Sequence, residues 1–285
     1  MGEKKGDKKL NKKMNRKGSG MKFLLPSLIG FSLLYILPLL LATKYSFQRS
    51  SFNSDFVGFH NYINMFSNQA FVLALKNTLV FIGLALPAII LLSFFISLAV
   101  FEVNPPKFVS VFIILPMVIP SGSMAGFFKN AFGTGANNIL DSNIAMLIVL
   151  LLYLWRNTGY NMIIYLAGFS RIDKSIVEAS DIDGISYWGK IRYIYWPLTL
   201  PATSFVGVVS IINSFKIFKD IFVLQGAYPN PHIYMLQHFL NNKFAFLRYE
   251  ELTAAASIFT VIIFLILLIF LMLDKKYTKK IGARL

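Results

Sequence analysis

Two groups of residues in this 285-residue chain have types and spacings that could do chemistry. The first is the polar stretch 178–201, which opens Glu-Ala-Ser-Asp-Ile-Asp-Gly-Ile-Ser-Tyr-Trp and closes on Pro197 and Pro201. Its chemistry is recognition. Glu178 offers charge to a basic partner, Ala179 and Ser180 allow close approach, and Ile182, Ile185, Tyr187 and Trp188 supply the apolar anchors that dominate interfaces. An amphipathic helix on an inner leaflet, with Trp188, Tyr193 and Trp196 at the interface, would use many of the same residues. The second group is two polar stripes at helical spacing: Tyr153, Asn157 and Tyr160, then Ser210, Asn213 and Ser214. Hydroxyls, amides and aromatic rings on one face suit a sugar. They also suit helix–helix hydrogen bonds worth about 1 kcal/mol each.

Arg156 lies within the first stripe. At the centre of an apolar run an arginine costs roughly 2.5–3.5 kcal/mol. It must therefore line a wet cavity, meet a carboxylate of another subunit, or snorkel from a shifted helix end. Lys216 and Asp220, at i and i+4, are placed to pair with each other.

No catalytic constellation is legible. The phosphate-cradling Gly-x-x-x-x-Gly-Lys-Ser/Thr loop is absent, so any ATP and Mg²⁺ belong to another chain. His60, His232 and His238 have no ligand-spaced neighbours, so no metal site is expected. With no cysteine there is neither disulfide nor thiol chemistry. The expectation is no catalytic residue, no cofactor in this chain, and no enzyme.

The elements that must position these residues are membrane spans. The chain is 56% hydrophobic and only 14% charged, against about a quarter charged in soluble domains. Six uncharged or nearly uncharged runs approach or exceed the 18 or so residues that cross a bilayer. They are placed at 21–41, 77–101 (with a kink at Pro87), 108–128 (broken by Pro116 and Pro120), 142–169, 197–221 and 254–273. Gly122 and Gly126 give the third a small-residue packing face. Residues 1–20 read as a disordered basic tail, 21–273 as one all-α six-helix domain, and 274–285 as a second basic tail. Nineteen Lys and Arg fall in the segments before span 1, between spans 2 and 3, between spans 4 and 5, and after span 6; three fall in the opposite loops. That bias puts both termini and the 171–197 loop in the cytoplasm. It also explains the +15 charge by topology and anionic lipid rather than nucleic acid. Within the loop, Asp173 should cap a helix over 174–182, Gly184 should make the turn, and Ser186 should cap a second piece over 187–194 that Pro197 ends.

This loop resembles the "EAA" loop of the permease subunits of binding-protein-dependent ABC importers. Glu178, Ala179, Asp183, Gly184, Ile194 and Pro197 match its pattern, and Ser180 replaces its second alanine. The wider chain resembles the maltose-permease-like carbohydrate branch through Gly58-Phe-His-Asn-Tyr62, Phe71, Asn77-Thr78, Leu115-Pro116 and Ser214-Phe-Lys-Ile-Phe218. The Gly-Gly-Pro common after the fifth span of that branch here reads Gln225-Gly-Ala-Tyr-Pro229. The resemblance implies the type I importer permease fold in a bacterial cell membrane. It implies a second permease subunit as heterodimer partner, two ATPase subunits and an extracytoplasmic solute-binding protein. It makes Glu178, Ala179, Ser180, Asp183, Gly184, Ile185 and Trp188 the ATPase-coupling set. Tyr153, Arg156, Asn157, Tyr160, Ser210, Asn213 and Ser214 become the substrate-path candidates. The cargo expected is a carbohydrate, an oligosaccharide first; the alternative is a non-sugar solute such as a polyamine, phosphate or an amino acid.

Overall fold

The computed structural model describes residues 23–50, 55–123 and 139–282. The expected tail over 1–20, Gly126 and the last residues of the third span lie outside them. The described helices are α1 (Phe23–Ser46), α2 (His60–Ser67), α3 (Gln69–Val103), α4 (Lys107–Val118), α5 (Ala145–Phe169), α6 (Lys174–Ile182), α7 (Tyr187–Leu198), α8 (Leu200–Gln225), α9 (Leu236–Ala245) and α10 (Tyr249–Gly282).

Four of them, α1, α3, α5 and α10, are long and apolar enough to cross a membrane alone. The pair α7 and α8, bent by 69° between them, meets that test together, which brings the crossings to as many as five among the described residues. The third expected span is only partly described: α4 ends at Val118 after twelve residues. The cause is local. Pro120 disfavours the helical region for the residue before it, and Ile119 is extended at ψ 122°.

The spine is α3. At 1.5 Å per residue its 35 residues reach about 52 Å, well beyond a bilayer's hydrocarbon. Asn68 caps its start, its Oδ1 accepting from the Ala70 and Phe71 amides at 3.0 and 3.2 Å. Asn104, in the left-handed region at φ 45°, ends it before Pro105-Pro106. Four apolar clusters are threaded along it, one of them joining Ile82 to Ile211 and Phe215. Phe71 and Ala74 meet Leu236, Phe239 and Ala255 at one end. In the middle, Phe81, Ala85 and Ile89 meet Val149, Tyr153 and Ile217. Phe94 and Leu98 meet Tyr165, Phe169 and Tyr195 at the other end, beside the 171–197 loop.

The end remote from that loop is held by the short polar motifs. Asn61 donates to the Ser46 and Gln48 carbonyls at 2.9 and 2.8 Å, and the Tyr62 and Ser46 hydroxyls meet at 2.7 Å, fastening α2 to the end of α1. Asn77 donates to the Pro231 and Tyr234 carbonyls at 2.6 and 3.1 Å, and Thr78 accepts the Leu236 amide at 2.9 Å. Thus α9 is hung from α3.

Close backbone approach occurs where the sequence did not point. A Cβ on Gly122 would meet nothing within 4 Å, whereas one on Gly159 would sit 2.3 Å from the Ile113 carbonyl oxygen of α4. Gly159→Val should therefore destabilise by at least about 1–3 kcal/mol through overpacking. Gly122→Ala should be neutral; thermal melts of the detergent-solubilised protein distinguish the two.

His238 of α9 is fully buried, its Nδ1 accepting the Met235 amide at 3.1 Å. Burial pushes its imidazole down to about 4. The unfolded chain takes up this proton below about pH 6.5, so the stabilisation is complete above that pH and fades as pH falls towards 4, by about 3 kcal/mol at most. The melting temperature should drop from pH 7 to about 4.5, and drop less steeply in His238→Gln.

Candidate functional site

The expected loop folds as an elbow. Asp173 caps α6, its Oδ1 accepting the Ser175 amide at 3.0 Å; that bond holds the carboxyl below its ordinary range. Gly184 turns the chain at φ +70°, a region most side chains avoid. The Ile185 amide reaches back to the Ser180 carbonyl at 3.0 Å and the Gly184 amide to Asp181 at 3.1 Å, satisfying carbonyls the helix end would leave open. Ser186 caps α7 through its Oγ and the Gly189 amide, 3.3 Å apart. The second piece does not stop at Pro197. It runs on to Leu198 through a wide turn at Ile191–Tyr195. The break comes at Thr199, and Pro201 follows in the first turn of α8, where it has no amide to return to the Pro197 carbonyl.

Two contacts stiffen the elbow. Lys190 forms an ion pair with Asp181 across the turn. The Tyr187 hydroxyl donates to Glu102 of α3 at 2.9 Å, and partial burial with that carboxylate pushes the phenol up. Its base is set in aromatics: Trp196 lies 5.0 Å from Phe94, and Tyr195 5.9 Å from Phe169. Trp196 is half-buried against that cluster, while Tyr193 is exposed.

What the elbow presents is its tip. Ile182 is 88% exposed and Trp188 70%, and Glu178, Ala179, Asp183 and Gly184 are exposed with them. Ser180 is turned inward, 4% exposed with its hydroxyl on the Val177 carbonyl, and Ile185 is half-buried.

A cavity of about 490 Å³ lies between α4, α5 and α8, within the size range of small-molecule sites. Five of the seven polar candidates line it: Tyr153, Arg156, Asn157, Tyr160 and Asn213. Ser210 and Ser214 do not. Ser210 is buried, accepting at its Oγ from Asn161 (3.1 Å) and at its carbonyl from the Tyr153 hydroxyl (2.8 Å). Ser214 is also buried, its hydroxyl on the Ile211 carbonyl at 2.6 Å. Ser210 thus joins α5 to α8, the second of the two roles open to the stripe, while Ser214 bonds back onto its own helix. Met117, Ser121, Lys216, Lys219 and Asp220 also line the cavity. The i, i+3, i+4, i+7 series through 213, 216, 217 and 220 on α8 was the available signal for part of this wall.

Arg156 settles the charge pattern. It forms an ion pair with Asp220. The guanidinium also donates to Ser121 Oγ at 3.0 Å and to the Ile119 carbonyl at 3.2 Å. That carbonyl is free because Pro120 broke the helix there. The expected Lys216–Asp220 pair is therefore not formed: Asp220 goes to the more deeply placed Arg156, and Lys216 Nζ donates to Asn213 Oδ1 at 3.0 Å. Among the described residues no group of three or more His, Asp or Glu is placed to hold a metal.

A family model for the binding-protein-dependent transport system inner membrane component matches residues 76–279. The chain is similar to the lactose transport system permease protein of Rhizobium radiobacter, 26% identical over 87% of this chain and 90% of that one. It is 30% identical to the arabinooligosaccharides transport system permease protein of Bacillus subtilis, over 89% and 86%. Its fold matches a bacterial ABC transporter that imports the acidic polysaccharide alginate, with TM-score 0.77 and 21% identity over 95% and 99% of the two chains.

Asp220→Asn should destabilise by several kcal/mol, since it leaves the Arg156 cation without its partner. Arg156→Gln/Asp220→Asn together should recover most of that loss; a double-mutant cycle on melting temperature measures it.

Proposed function

The chain belongs to the family of binding-protein-dependent transport system inner membrane components, and on that premise we propose that it is a permease subunit of a bacterial ABC importer for a carbohydrate. It is a multi-pass membrane transport subunit, not an enzyme. Residues 21–273 form its transmembrane domain between two basic tails, with both termini and the elbow in the cytoplasm. The observation that carries the reading is one of connectivity. The cavity is walled by α5 and α8, and the elbow is the segment that joins them.

A partner that moves the elbow therefore moves two walls of the cavity. The exposed tip, Glu178, Ala179, Ile182, Asp183, Gly184 and Trp188, docks on an ATPase subunit, while Ser180 and Ile185 keep the turn's shape. Two such ATPases hydrolyse ATP with Mg²⁺, and their closure drives the lever. A second permease supplies the opposite side of the path, and a solute-binding protein delivers cargo at the end where α9 is hung. The spans then alternate access by rigid-body rocking. A carbohydrate is supported by the sugar cargoes in the names of the relatives and by the cavity's lining of Tyr153, Tyr160, Asn157 and Asn213. An importer of polyamines, one of the non-sugar alternatives, would bring cations to Lys216 and Lys219.

Gly184→Val forces a β-branched residue to φ +70° and should reshape the turn; Glu178→Arg should reverse the docking charge. In the purified complex each should lower substrate-stimulated ATP hydrolysis at least tenfold. Unchanged coupling in both would refute the elbow's role.

A further inference from the structure

Four charged side chains meet the cavity: Arg156, Lys216, Lys219 and Asp220. The single carboxylate is already taken by Arg156, whose guanidinium also holds Ser121 and the Ile119 carbonyl. That leaves two lysines. Lys216 has only the neutral Asn213 Oδ1, at 3.0 Å, and Lys219 makes no ion pair among the described residues. At i and i+3 they share one face of α8, and both line the same cavity.

Two unpaired cations at this place need an account. Both side chains are exposed, towards the end of α8 remote from the elbow, which suits lysines that keep to a wet cavity, since at the centre of a span each would cost about 2.5–3.5 kcal/mol. Side by side they give this wall a positive potential that a neutral sugar would leave uncompensated. An anion would compensate it, because a lysine ammonium is a compact point charge suited to carboxylate or phosphate.

We propose that this cavity receives a saccharide carrying negative charge, as a carboxylate or a phosphate, and that Lys216 and Lys219 of α8 hold that charge. The proposal rests on the carbohydrate-importer reading and deepens it. Asn157, Tyr160 and Asn213 meet the hydroxyls and ring faces, and the two ammonium groups select for charge. The Arg156–Asp220 pair, closed on itself, keeps the wall in register and leaves the lysines free. Identity to relatives does not decide the point, since lactose and arabino-oligosaccharides are neutral and alginate is acidic. The cavity's own residues do.

The test is ATP-driven uptake into proteoliposomes by the whole importer complex. The probes are tetragalacturonate, glucose 6-phosphate, neutral maltotetraose and inorganic phosphate. Expected is uptake of one of the two anionic sugars at least tenfold faster than maltotetraose, and which one identifies the anion as carboxylate or phosphate. Lys216→Gln/Lys219→Gln should cut the anionic-to-neutral ratio at least tenfold, and Lys216→Arg/Lys219→Arg should restore most of it.

Maltotetraose carried as fast as the anionic sugars, or the ratio unmoved by the double glutamine variant, overturns the proposal while leaving the importer intact. So does loss of the second permease on purifying that variant, because the lysines would then be paired with a partner carboxylate. Uptake of inorganic phosphate alone, or of none of the four, overturns it together with the carbohydrate reading. A preparation that carries no ATPase overturns the importer reading itself.

Discussion

A bilayer offers no hydrogen bonds, and the structure depends on that constraint throughout. Backbone amides are satisfied within helices, and hydroxyls at membrane depth fold back on the helix or reach across it. Thr158 bonds the Leu154 carbonyl at 2.6 Å and Ser93 the Ile89 carbonyl at 2.5 Å. Tyr165 meets Thr203 at 3.1 Å, joining α5 to α8. Where the chain leaves the helix, a side chain fills in: Ile119 is extended before Pro120, and Arg156 donates to its carbonyl. Lysines that form no ion pair among the described residues are thereby informative, and two of them, Lys216 and Lys219, stand on the cavity wall of α8.

The same constraint makes a lever possible. Because α3 carries four apolar clusters along its length, it is a fixed spine against which α5 and α8 pack. The elbow is rooted in the cluster at one end by Phe94, Phe169, Tyr195 and Trp196. Its tip has few contacts and is exposed. Lys190–Asp181 and Tyr187–Glu102 resist bending within the elbow. A push at the tip is then passed to the roots of α5 and α8 rather than absorbed by the turn.

Much of this was legible in the residues, and the reasons differ. The elbow's caps and turn were readable because capping and a positive φ are local: Asp173, Gly184 and Ser186 act within three residues of themselves. Gly58-Phe-His-Asn-Tyr62 and Asn77-Thr78 could be recognised as motifs, yet their work is non-local, tying α2 to α1 and α9 to α3. Three features were settled by geometry between helices. Gly122 faces open space while Gly159 meets Ile113, because packing depends on which face turns towards a neighbour. Trp196 packs on Phe94, a residue about a hundred positions earlier in the chain. Lys216 and Asp220 stand one turn apart, but Asp220 goes to an arginine 64 residues away in sequence. Within the elbow, the break comes at Thr199 rather than at Pro197, and Pro201, four places on from Pro197, has no amide to return to its carbonyl.

The sequence by itself determined a class: apolar runs of spanning length, cations biased to alternate loops, and a polar elbow between two spans. Those follow from transfer free energies and local backbone preferences, which each segment carries alone. Only the tertiary structure decided how the polar side chains were divided. Ser210 and Tyr153's hydroxyl went to a helix joint, Ser214 back onto its own helix, Arg156 and Asp220 to each other, and Lys216 and Lys219 to the cavity. That division depends on distances between helices, and no single helix contains them.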